Sequence, residues 1–516
     1  MVKKHLLTHV WRNCEFCGKF TFTFRKKYFL NGKYSVPKFA TDAKRGNVVR
    51  HYKKTENMRK LKIITFFIIL FSSNTFAQFP NTISPEDKVY GLSMFWQEVN
   101  YNFVYFDKVD KVSWNNYYKE LIKKVQNTKN DYEYYRELQK FCALLKDGHT
   151  NIYFPEYIEN YISISEFGDY QIFISNIEDK AIITRTNASK KQEIPIGTEI
   201  IKVNDLDTKD YMNRFIMPFI SSSTNHILND WATMFLLEST YGTKYQLTLK
   251  LPNNKIKILN MTSEPSTENE YYPVIEKKEL LEFKWLKNKT AYIAINSFNS
   301  NRIKDLFLNV IPELEKATSL IIDLRYNGGG NSNNALDIVN FITNDSIIQL
   351  PKWSTRKNIS AFKAWGKGIS LKDTVNNDWA KTSYLAYKDS LFYEEQVSFH
   401  KVDKNSPKIV IPTAVLIGHN TASSAEDFLI YVNNQQHIIK IGNPTFGSTG
   451  MPMTLELPNG GEARICTKKD TYPNGEEFVG KGIQPDIFVE QTLNNFLKNK
   501  DMTLNVALEY LLKLKK

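Results

Sequence analysis

The sequence is poor in the residues that mark several protein classes. Of 516 residues only 4 are cysteine, 8 histidine, 18 proline and 22 glycine. Only Cys142 and Cys466 lie beyond residue 77, too few for a disulfide scaffold. Cys14-Glu15-Phe16-Cys17 is at most half of a zinc site, because a structural zinc takes four ligands and no second Cys or His pair follows at suitable spacing. With 42% apolar and 24% charged residues the chain is neither collagen-like nor disordered. The apolar run from Ile63 to Phe71 is far short of the roughly 20 residues that a membrane-spanning helix needs.

The chain also lacks a charge excess where a nucleic-acid binder would carry one. Its formal charge is +13, but residues 1–57 hold 14 basic and 3 acidic residues, and residues 58–77 hold 3 basic and none acidic. The other 439 residues carry 51 basic and 52 acidic side chains, a net of −1. That body has no electrostatic footprint for nucleic acid, and none is expected as a partner.

The charge is instead a mark of processing. Met58-Arg59-Lys60-Leu61-Lys62, the apolar run after it and the small and polar segment Ser72-Ser73-Asn74-Thr75-Phe76-Ala77 follow the order of a secretory signal peptide. Cleavage is expected after Ala77, and Gln78 in place of cysteine implies no lipid attachment. On this reading Met58 is the true start, residues 1–57 are a basic extension without structure, and the mature chain is exported to a periplasmic or extracellular space with no stable membrane span.

Four further regions are expected. Residues 78–158 read as helical, with Tyr134, Leu138, Phe141, Cys142 and Leu145 forming one buried stripe and Gly148 stopping the helix. Residues 159–265 hold short alternating runs, such as 194–204 and 241–249, typical of a small β-rich domain with a PDZ-like pattern. Residues 266–492 alternate buried strands with helices, an α/β core, and 493–516 end in an amphipathic helix through Leu504, Leu508, Leu511 and Leu512.

Two strand ends in the core carry the chemistry. Leu320-Ile321-Ile322-Asp323-Leu324 runs into Arg325-Tyr326-Asn327-Gly328-Gly329-Gly330, glycines that permit close backbone approach and can aim amides at a negative charge. The turn is not a phosphate loop, since Asn331-Ser332 follows where Gly-Lys-Ser/Thr is required. The second strand, 413–418, is followed by a helix with Ala425, Phe428, Leu429 and Val432 on its inner face. Ser423 at its start is either an ordinary helix cap or a nucleophile beside unpaired amides at the positive helix end. His149, just beyond a helix end, suits either a plain turn or a catalytic side chain.

These segments resemble the C-terminal processing (tail-specific) serine peptidases and their tricorn-core and retinoid-binding-protein-like relatives. The resemblance rests on residues 322–330, on Thr421-Ala422-Ser423-Ser424-Ala425-Glu426, on 442–447 and on Gly482-Ile483-Gln484-Pro485-Asp486-Ile487, in family order, and it covers nearly the whole mature chain. It implies a multidomain α/β fold and an exported serine-type peptidase cleaving peptide or protein substrates through an acyl-enzyme, without metal or organic cofactor. Ser423 is the implied nucleophile, with backbone amides of Gly328, Gly329 and Ser424 as oxyanion donors.

The base is where this chain departs from the tail-specific branch. That branch has a lysine 25 residues after the nucleophile, and Ser448 stands there. The other branch takes its base from a histidine in a segment like 145–150, which implies His149, with His419 in reserve. There a glutamate before the Gly-Ile-x-Pro-Asp segment orients the histidine. Val479 holds the aligned position, so the expected orienter is Glu477, with Glu476 or the Ser448 hydroxyl as helpers. The rival reading is a non-catalytic peptide- or ligand-binding protein on the same scaffold.

Overall fold

A computed structural model describes residues 79–514. The basic extension, the Cys14/Cys17 pair and the segment expected to be a signal peptide lie outside the described residues.

Three helices open the described chain: α1 (Pro85–Asn102), α2 (Lys111–Gln126) and α3 (Asp131–Ala143). Each starts on a capping side chain, Ser84, Asp110 or Asn130, that accepts a first-turn N–H. The expected stripe on α3 is buried, and Phe141 stacks on Trp114 at 3.8 Å between ring centroids. Burying side chains of this size contributes roughly 2 kcal/mol each. The helix ends at Ala143, earlier than the glycine suggests, and Lys146 at φ 50° makes the left-handed turn. Gly148 is needed for a different reason: a Cβ there would meet the Phe446 ring at 2.6 Å.

The helical core is not closed by local sequence alone. Strand β1 (Asn151–Tyr153) pairs antiparallel with a strand more than 300 residues later, Asn151 opposite Arg464. Leu457, Ala463, Ile465 and Cys466 complete the cluster around α1 to α3. Cys142 and Cys466 are both buried free thiols.

The β-rich region is an antiparallel sheet built from β2 (Tyr170–Ile177), β3 (Lys180–Asn187), β4 (Glu199–Val203), β5 (Lys244–Lys250) and β6 (Ile256–Thr262), in spatial order β6-β5-β4-β3-β2. Helix α4 (Asn225–Met234) packs against β2.

The core sheet contains β7 (Leu281–Leu286), β8 (Thr290–Ile295), β9 (Ser319–Asp323), β10 (Thr413–Ile417), β11 (Ile438–Gly442) and a short final strand, Ile487–Phe488. These pair in that order, parallel except for β7. Both faces are covered, which is why the strands read as continuous apolar runs. Ile293, Ile322 and Val415 face helices α5 (Arg302–Leu314), α6 (Ser332–Ile342) and α7 (Ser424–Tyr431). Tyr292, Ile321 and Ala414 face the C-terminal helix α8 (Met502–Lys513), through Ala507 and Leu511. Arg325, at the end of β9, forks onto Asp501, the α8 cap, at 2.8 and 2.7 Å. Between α6 and β10 the chain inserts two helices, Ser360–Gly366 and Asp378–Tyr387, that the coarse strand-helix alternation did not anticipate.

Candidate active site

Because β9 and β10 are adjacent and parallel, the turns that leave their C-terminal ends lie side by side, the usual place for a site in such a sheet. Ala422 N–H donates to Asn327 O at 3.0 Å and Thr421 Oγ1 to Leu324 O at 2.8 Å, which ties the two turns together. Gly329, at φ +101°, fits against the second turn so closely that a Cβ would stand 2.7 Å from Ser423 Cβ and 3.0 Å from Ser424 N.

Ser423 is partly exposed and adopts φ 55°, ψ −122°, a conformation that a non-glycine residue holds at a cost of about 1–3 kcal/mol. The surrounding bonds impose it. Glu426 Oε2 accepts the Ser423 N–H at 3.0 Å, while Oε1 accepts Thr445 Oγ1 at 2.5 Å and Gly447 N–H at 2.8 Å. Burial pushes the Glu426 carboxyl up to about 8, against the pull of those three donors. The serine therefore stands on a sharp strand-to-helix turn at the positive end of α7.

Among the described residues the N–H groups of Gly328 and Ser424 have no protein acceptor. The expectation for Gly329 needs correction. Its N–H donates to Asn327 Oδ1 at 2.9 Å, and Asn327 is itself fixed by donating to Ile295 O. Two of the three expected donors are free to face an oxyanion, and the third holds the turn in shape.

His149 is buried at 6% exposure. Its Nδ1 lies 2.7 Å from Ser448 Oγ, and among the described residues Nε2 has no protein partner. Ser448 Oγ lies 3.4 Å from Asp147 Oδ1. Asp147 also receives the Thr150 hydroxyl at 2.6 Å and the Ser223 hydroxyl at 3.4 Å. Burial pushes the Asp147 carboxyl up, while these hydroxyls and the His149 backbone N–H pull it down. Burial, then the charges of Arg464 and Lys468, pushes His149 down to about 3, so its imidazole is neutral but a weaker base than a free one in the unliganded site.

Neither expected glutamate reaches the histidine. Glu477 is paired with Lys469 and with Lys108 at 3.0 Å, and these partners hold its carboxyl down to about 2. Glu476 is exposed on a turn whose backbone is closed by Asn474 and Tyr472. The two lysines, far from Glu477 or unremarkable in sequence, draw the carboxylate away. His419 is likewise engaged elsewhere, 2.5 Å from Asp230 on α4. Sequence reasoning gave no role to Asp147 or Glu426. The signal was present in both cases, a carboxylate two residues before the histidine and one three residues after the serine, but neither spacing says which way the side chain turns.

Residues 289–489 match the Peptidase family S41 sequence family. A carboxyl-terminal-processing protease of Picosynechococcus sp. is 22% identical over 363 residues, covering 70% of this chain and 73% of that protein. The carboxy-terminal processing protease CtpA of Bacillus subtilis is 24% identical over 257 residues, 49% of this chain and 44% of that protein, so the chain spans less than half of that relative. Among solved structures, mature CPAF superposes with a TM-score of 0.59 at 14% identity, over 84% of this chain and 97% of that one.

Proposed function

We propose, from the match of residues 289–489 to peptidase family S41, that the chain hydrolyses peptide bonds through an acyl-enzyme formed on Ser423. The observation that carries this reading is the strained Ser423 conformation at the start of α7, beside the free amides of Gly328 and Ser424. A hydroxyl that served only as a cap would need no such backbone.

In this mechanism Ser423 Oγ attacks the scissile carbonyl and passes its proton to His149 Nε2. The two amides receive the developing oxyanion, and His149 returns the proton to the leaving amine. The acyl-enzyme is then hydrolysed by water activated in the same way. Among the described residues no hydrogen bond joins Ser423 Oγ to His149, and substrate binding is the step that brings the two within reach, since catalytic hydrogen bonds often form only in the substrate complex. The negative oxyanion also offsets Arg464 and Lys468 and so favours the imidazolium as it forms. The β-rich module captures an extended peptide by strand addition, and the segment 58–77 directs export.

A fluorophosphonate probe tests the reading. Labelling at Ser423, abolished in Ser423→Ala and strongly slowed in His149→Ala, is expected. A folded protein that never labels would instead be the binding-only protein on the same scaffold.

A further inference from the structure

The buried Asp147 has no part in the mechanism above, yet it stands at the end of a short chain of polar groups that leads to the base. Every side-chain partner of Asp147 is a hydroxyl: Thr150 Oγ1 at 2.6 Å, and Ser223 and Ser448 Oγ each at 3.4 Å. Ser223 Oγ already accepts the Gly148 N–H at 2.9 Å, which turns its own proton toward Asp147. Burial pushes this carboxyl up, but the donors around it, with the His149 backbone N–H, oppose that push and match an ionised carboxylate, which can only accept.

That polarity propagates. With Asp147 ionised, the Ser448 proton points to Oδ1, and the Ser448 oxygen presents a lone pair to His149 Nδ1, 2.7 Å away. Nδ1 must then carry the ring proton, and Nε2, which has no protein partner among the described residues, keeps its lone pair. Reversed, the same chain would put the proton on Nε2 and leave the base unable to accept. The tautomer is thus chosen three groups away from the nucleophile.

We propose that Asp147, acting through the Ser448 hydroxyl, is the acidic member of this site and fixes His149 as its Nδ1–H tautomer. Asp147 and Ser448 are positioning residues: neither touches the reacting atoms. Asp147 leads His149 by only two residues, so the loop after α3 carries both the base and the group that orients it. Ser448 reaches them from the segment after β11, and a Cβ on Gly148 would stand 3.2 Å from Ser448 Cβ, which keeps the contact tight. The inference assumes the peptidase reading for its consequence, but the tautomer itself does not depend on activity.

The full chain, labelled with 15N-histidine, gives the direct test. The His149 signals are assigned by their loss in His149→Gln, and their shifts distinguish the protonated ring nitrogen from the free one. The wild-type protein at neutral pH is expected to show Nδ1–H. Asp147→Asn, whose amide can donate toward Ser448, is expected to shift the signals toward Nε2–H and to lower kcat on the order of 10²- to 10⁴-fold with KM within about twofold. Ser448→Ala is expected to lose the Nδ1–H preference, and Ser448→Thr, which keeps the hydroxyl, to restore it and most of kcat.

An Nε2–H wild-type histidine overturns the proposal. So does a folded Asp147→Asn or Ser448→Ala protein with unchanged tautomer. Should Asp147→Asn fail to fold, the Ser448→Ala and Ser448→Thr pair decides in the same way. If the wild-type protein has the Nδ1–H tautomer under control of Asp147 but never reacts at Ser423, the relay stands and the peptidase reading fails.

Discussion

A Cβ built on Gly329 would lie 2.7 Å from Ser423 Cβ, so the glycine-rich turn and the serine can hold their present positions only while residue 329 has no side chain. Its φ of +101° is also one that other residues rarely adopt. Gly329→Ala is therefore expected to push the two turns apart and to lower kcat/KM at least about 100-fold, the order seen when an oxyanion donor is lost. Near-UV circular dichroism checks that the fold persists. Activity within twofold of wild type would mean that the turns tolerate separation.

Glu426 is the hub that holds Ser423 in its strained conformation. Glu426→Ala orphans the N–H groups of Ser423 and Gly447 and the hydroxyl of Thr445. At about 1–3 kcal/mol for each unsatisfied buried group, partly relieved by relaxation, a loss of about 3 kcal/mol is expected from urea unfolding. The serine conformation should relax with it, so the rate of probe labelling falls as well.

Glu477 separates the relay from a direct glutamate partner. It sits in an ion-pair group with Lys469 and Lys108, its side chain 39% exposed. Glu477→Gln is expected to leave kcat/KM within about twofold and to change stability by about 0–1 kcal/mol, as for other partly exposed pairs. A 100-fold loss of kcat would return Glu477 to the catalytic group.

The pH profile of kcat/KM follows from the sign of the histidine shift. An imidazole pushed below its ordinary 6.5 stays neutral, and so competent as a base, as pH falls through 6.5. No acid inflection is expected near 6.5, and the limb should lie well below it. The charges of Arg464 and Lys468 both act on the ring, and Asp147 is linked to it through Ser448. Arg464→Gln removes one of the two cations, which favours protonation of His149, so the acid limb should move to higher pH. A shift to lower pH would contradict that assignment.

Much of this was legible in sequence because it is local. The continuous apolar strands at Leu320 and Val415, the glycine turn and the helix after Ser423 each follow from patterns within about a dozen residues. The serine and the histidine stand out as candidates because the segments around them resemble those of a known family. The orienting group was not legible, because Asp147 and Ser448 meet only when the loop after α3 is laid against a segment 301 positions away. Glu477 was misread because Lys108, far away in the chain, and Lys469 claim its carboxylate. The inserted helices between α6 and β10 escaped because strand-helix alternation fixes which elements recur but not what is spliced between them.

The most direct measurement of the central claim is mass spectrometry of the protein after reaction with a fluorophosphonate. One phosphonylated residue, Ser423, is expected, with labelling absent in Ser423→Ala and slowed on the order of 10⁴-fold in His149→Ala. A folded wild-type protein that stays unlabelled, or that reacts at another serine, would contradict it.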